Sequence, residues 1–123
     1  MIGILAGMGP RSTAPFVDMI VDACQRQYGA RYDIDFPPML IYALPTPFYV
    51  DRPIDHAALE VAILAGLRKL EDAGVAFVAM PCNSAHIYFE QLAAGIHVPL
   101  LHMVDTALAA LPAASNIVAL LAT

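Results

Sequence analysis

Short uninterrupted runs of apolar residues alternate along this chain with longer stretches in which apolar positions recur at helical spacing. Ile2 to Ala6 is the first run, Met39 to Tyr42 the second and Val75 to Met80 the third. Val98 to His102 and Ile117 to Leu121 are a fourth and a fifth. None shows the in–out alternation of a half-exposed strand, so each reads as a strand covered on both faces. Between them, Phe16, Met19, Ile20 and Ala23 mark one face of a helix from Ser12 or Thr13 to about Tyr28, stopped by Gly29. Leu59, Ile63, Leu67 and Leu70 mark a longer helix from about Ile54 to Ala73, closed by Gly74. Two further helices are expected, from Ser84 to about Ala94 and from Val104 to Leu111. The order β-α-β-α-β-α-β-α-β predicts an α/β fold: a parallel sheet of about five strands with helices on both faces. Ligands of such sheets bind beyond the carboxyl ends of the strands. The loops that fall there begin at Gly7, Leu44, Pro81 and Met103.

Composition narrows the class. The chain has 123 residues, enough for one domain; 59% are hydrophobic and 14% charged, which excludes intrinsic disorder. Six basic against eleven acidic residues give a net charge of −5, with no Lys/Arg stripe, so no nucleic acid is expected as a partner. Residues 106–123 are uncharged, but Pro112, Ser115 and Asn116 put turn chemistry in their middle, so they read as two short elements and no membrane span is expected. No basic segment precedes Ile2, and Cys24 and Cys82 form no CxxC pair. The expectation is a cytoplasmic protein with reduced thiols, no zinc site and no other metal. The chain stops as the fifth strand ends, the pattern expected of a truncated protein.

Three loops carry candidate chemistry. Gly7-Met8-Gly9 follows the first strand, where glycines permit a tight turn and close approach to a ligand. It lacks both the third glycine of a dinucleotide fingerprint and the lysine of a phosphate loop, so a nucleotide is not expected. The second loop is Pro81-Cys82-Asn83-Ser84-Ala85-His86, at a strand-to-helix junction. A helix N-terminus aimed at the Cys82 sulfur would favour a thiolate. Asn83 and Ser84 supply donors suited to a carboxylate, and His86 is placed to orient the site or share a proton. The plainer reading makes Cys82 a small buried hydrophobe, Ser84 a cap and His86 a solvated residue, and the residues alone leave both open. Cys24, inside the first helix, reads as a packed, inert thiol. In the third loop, Arg52 of Asp51-Arg52 is either a planar clamp for a substrate carboxylate or half of a solvated pair. Tyr42, Tyr49 and His102 are further lining candidates; His56 and His97 have no recognisable partner.

The segments Ile2–Pro10, Leu70–His86 and Val98–Met103, taken together, resemble the aspartate/glutamate racemase superfamily, in the branch typified by aspartate racemase. The resemblance implies two similar α/β domains facing across a cleft, residues 1–123 being the first. It implies an isomerase that racemises amino acids with no cofactor and no metal, through two cysteines flanking the substrate's α-carbon. Cys82 matches the cysteine of the first domain. Asn83 and Ser84 match residues that hold the α-carboxylate, Ser84 standing where Thr is common. Met8 and Gly9 match contacts of the first loop, and Arg52 resembles the arginine of an Asp-Arg pair. The substrate implied is a small amino acid or dicarboxylate, aspartate or glutamate first. The second cysteine is missing from this chain, so it is expected not to racemise efficiently alone, and its uncovered cleft face is expected to favour a homo-oligomer. The rival reading is a non-catalytic α/β module that binds a small carboxylate with Cys82 as a bystander.

Overall fold

A computed structural model describes residues 1–112. Its sheet holds three parallel strands, β1 (Ile2–Ala6), β2 (Met39–Ala43) and β3 (Phe77–Ala79), in the order β2-β1-β3. The helices are α1 (Thr13–Tyr28), α2 (His56–Asp72), α3 (Phe89–Ala94) and α4 (Met103–Ala109), with a 3-10 turn at Ser84–Tyr88 leading into α3. The α/β class and the parallel sheet are as expected, but the count of about five strands is corrected. The fourth apolar run supplies one bridge residue, Leu100 beside Val78. The Val78 amide donates to the Pro99 carbonyl at 2.8 Å and the Leu101 amide to the Val78 carbonyl at 2.9 Å. Pro99 has no N–H to extend that ladder, and His102 already caps α4, so the run has no room to become a strand. The fifth, Ile117 to Leu121, lies outside the described residues.

Register decides which side chains meet. Leu5 pairs with Tyr42 and Gly3 with both Leu40 and Val78, so these positions share one face. Against that face pack Leu59, Ile63, Leu67 and Leu70 of α2 and Leu92 of α3. Leu5, Leu67, Leu70, Val78 and Leu92 are fully buried, each contributing about 2 kcal/mol relative to exposure. Gly66 lets α2 settle close to the sheet: a Cβ there would lie 2.9 Å from a methyl of Leu5 and 3.1 Å from one of Leu44. The opposite face carries Ile4, fully buried, and its neighbour Ile41, 40% exposed, so it is covered at the centre and open at the β2 edge.

Helix ends follow local chemistry. Asp55 has extended backbone and its carboxylate accepts the Ala58 amide at 3.0 Å, so α2 begins at His56 and not at Ile54. α1 ends where Gly29 takes the left-handed conformation, φ 74°, and the amides of Gly29 and Ala30 close on Gln25 and Cys24. The Ser12 hydroxyl donates to the Gly9 carbonyl at 2.7 Å, tying the first loop together instead of capping α1. Of the α1 residues only Cys24 is buried, as its inert reading requires; Met19 is 57% exposed.

Candidate active site

Parallel strands bring their carboxyl ends to one side of the sheet, and the loops after β1, β2 and β3 meet there around a cavity of about 420 Å³. Gly7 makes the first turn possible. Its φ is 93°, and a Cβ would fall 2.6 Å from the Leu44 carbonyl oxygen, so only glycine lets β1 turn against the start of the second loop. Met8 and Gly9 then line the cavity. The Met8–Gly9 peptide bond is cis.

Cys82 leaves the end of β3 with its amide bonded to the Met80 carbonyl at 2.8 Å, half-buried and lining the same cavity. Ser84 and Ala85 continue the wall. The turn that opens at Asn83 has no side-chain cap. Asn83 itself sits on the other side of the loop, in a shallow cleft shared with Phe16, Met19 and Met103. The structure thus brings Met8, Gly9, Cys82 and Ser84 together and leaves Asn83 and Arg52 outside the cavity lining.

Arg52 has a local partner instead. Its Nε donates to Asp51 Oδ1 at 3.1 Å and its Nη2 to Oδ2 at 3.3 Å, with the guanidinium 4.4 Å from the centroid of the Tyr49 ring. The pair is exposed, and the Arg52 hydrogen bond holds the Asp51 carboxyl below its usual range. Tyr42 also faces elsewhere, receiving a hydrogen bond from Lys69 Nζ at 2.9 Å.

His86 is buried and fully engaged. Its Nε2 accepts the Met103 amide at 3.1 Å, so the proton sits on Nδ1, which donates to the Cys82 carbonyl at 2.8 Å. The ring therefore clips the start of α4 to the cysteine loop as a neutral tautomer, with no nitrogen left for proton sharing. Phe89 and His102 pack around it, their centroids 4.3 Å apart and that of His102 5.4 Å from His86.

Two residues without a recognisable role in the sequence also line the cavity. His56, the first residue of α2, shares a 2.6 Å hydrogen bond between Nδ1 and the Tyr88 hydroxyl. Burial, with the carboxylates of Glu60 and Asp55 nearby, pushes the Tyr88 phenol above its ordinary pKa, so it stays protonated. The two are 32 positions apart, and no local pattern announces such a pair. Among the described residues, no three His, Cys, Asp or Glu side chains converge as a metal set. No helix there is long and apolar enough to cross a membrane.

A family model described as Asp/Glu/Hydantoin racemase matches residues 5–123. The chain belongs to the Asp/Glu/hydantoin racemase family. Within it, the chain is 55% identical over 112 residues to the broad specificity amino-acid racemase RacX of Bacillus subtilis (strain 168), a match covering 91% of this chain and 49% of RacX. It thus spans about half the length of that curated relative. The fold is that of an aspartate racemase homologue from Pyrococcus horikoshii OT3, with TM-score 0.73 and 21% identity over 85% of this chain and 45% of the other. The Picrophilus torridus aspartate racemase matches with TM-score 0.66 and 27% identity, over 85% of this chain and 43% of that one.

Proposed function

We propose that this chain forms one half of a cofactor-independent amino-acid racemase centre, the first of two similar domains, in which Cys82 exchanges the substrate's α-proton. The observation that carries the reading is the position of Cys82. It stands at the carboxyl end of a parallel strand, half-buried, facing a cavity built from three strand-end loops in a chain of this racemase family. A thiolate there takes the α-proton and becomes a thiol; the electron pair stays on the substrate as a carbanion, and inversion requires a proton delivered to the opposite face. A second cysteine on a facing domain is the donor this reading calls for. Ser84 and the Met8-Gly9 loop border the same space and are the groups placed to receive the α-carboxylate. A carbanion beside a carboxylate forms only where fixed dipoles offset the growing charge.

The test is α-proton exchange in heavy water, followed by NMR with L- and D-amino acids offered separately. One enantiomer is expected to lose its α-proton signal, and Cys82→Ser to abolish the loss. Exchange that survives in Cys82→Ser overturns the role of the thiol. Full-rate racemisation by these 123 residues overturns the division of labour between two halves.

A further inference from the structure

The resemblance points to aspartate or glutamate, with Arg52 reaching for the second carboxylate. The cavity wall is built for something else. No Lys, Arg, Asp or Glu is among the residues that line it. Beyond Cys82, the space is bounded by Phe48, Ile54, Leu59, Ile63 and Ile87. Of the polar groups at that end, His56 Nδ1 and the Tyr88 hydroxyl are bonded to each other, and Thr46 adds one hydroxyl. Arg52 is held by Asp51 and stacked on Tyr49. The ionised groups whose field reaches Tyr88 are Glu60 and Asp55, both negative. A second carboxylate placed here would lose water, find no lysine or arginine and meet two like charges, whereas a hydrocarbon side chain would gain from the apolar wall.

We propose that the cavity beside Cys82 accepts the side chain of a neutral, predominantly apolar amino acid of the leucine or methionine class and rejects that of aspartate or glutamate. The proposal rests on the racemase reading, because that reading puts the α-carbon at the sulfur and so sends the side chain toward Ile54 and Ile87. The His56–Tyr88 pair closes the far wall, His56 Nδ1 and the Tyr88 hydroxyl spending on each other the hydrogen bond that a carboxylate would seek there.

Protection of Cys82 from iodoacetamide, read by peptide mass spectrometry, tests this on the chain itself, with buried Cys24 as the internal reference. L- and D-leucine and methionine are the probes, against L- and D-aspartate and glutamate at equal concentrations. At least one of the neutral probes is expected to slow alkylation of Cys82 by about tenfold more than either acidic one, the scale on which a pocket separates side chains. Equal or better protection by aspartate or glutamate overturns the proposal and leaves the racemase reading standing. Protection by none of the probes, with alkylation of Cys82 unimpeded, removes the amino-acid site and both readings fall. A wall variant decides where the selection resides. Ile87 is 64% exposed, so Ile87→Lys leaves the core intact while adding a cation to the cavity. It is expected to raise protection by aspartate about tenfold; unchanged rejection of aspartate would place the selection elsewhere and overturn the proposal.

Discussion

At the scale of single residues, His86 shows how far a site can be read from a motif. The sequence places it one turn beyond Cys82, and from there proton sharing is a natural thought. The structure spends both ring nitrogens on backbone groups, 17 and 4 positions away, and so makes it a clip. His86→Ala leaves the Met103 amide and the Cys82 carbonyl without this partner, and is expected to cost about 1–3 kcal/mol in urea denaturation. Cys82, Ser84, Met8 and Gly9 were legible because short motifs beside apolar runs mark strand-end loops. Arg52 was ambiguous because an arginine beside an aspartate satisfies itself locally at least as readily as it reaches for a ligand. His56 and Tyr88 were invisible, since a pair so far apart in sequence is made only by the docking of α2 against the turn before α3.

At the scale of elements, the three strands and all four helices of the described residues stood out as apolar runs and periodic stretches. The errors lay at the ends. α2 starts two residues late because Asp55 takes the cap, and β3 starts at Phe77 because the chain is still leaving α2 at Val75, whose amide donates to the Leu70 carbonyl at 3.4 Å. The run at Val98 to His102 has the hydrophobicity of a strand, but proline together with the next helix's cap reduces it to one bridge. That connection is held by Glu71 of α2, whose carboxylate accepts the amides of His97 and Val98. The His97 amide is the main cause of a carboxyl pKa below the usual 4.5, opposed by desolvation and aided by the Val98 amide. A lowered folded-state value means the stabilisation is present above the unfolded pKa and is lost as pH falls through the folded one. Glu71→Gln is therefore expected to lower Tm near pH 7 and to lose less on acidification than the unmodified chain. Thermal unfolding followed between pH 7 and pH 3 checks both.

At the scale of the whole molecule, part of the exposed apolar surface lies where the strand-end loops open. Phe48, Ile54 and Ile87, which line the cavity, are 52%, 48% and 64% exposed, and Val50 of the same loop as Phe48 is 95% exposed. On the proposed two-domain reading, a surface of this kind is one wall of a cleft. By itself the chain is then expected to cover that wall with another copy. Sedimentation velocity is expected to show association that rises with concentration and weakens in Val50→Asp; a monomer throughout the range would refute it. The sequence announced this in bulk, through 59% hydrophobic residues against 14% charged, but the location of the excess became visible only with the fold.

The strand order carries a consequence for how the protein is made. β1 precedes β2 and β3 in the chain and is the central strand of the three. It leaves the ribosome with both edges bare, gains a neighbour only after Ala43 has emerged, and waits for Ala79 before the other edge is closed. A nascent chain paused between those points displays an apolar strand with an unpaired border, a template for joining another chain. The sheet cannot close before β3 is available, so the pace of folding follows the arrival of Phe77–Ala79.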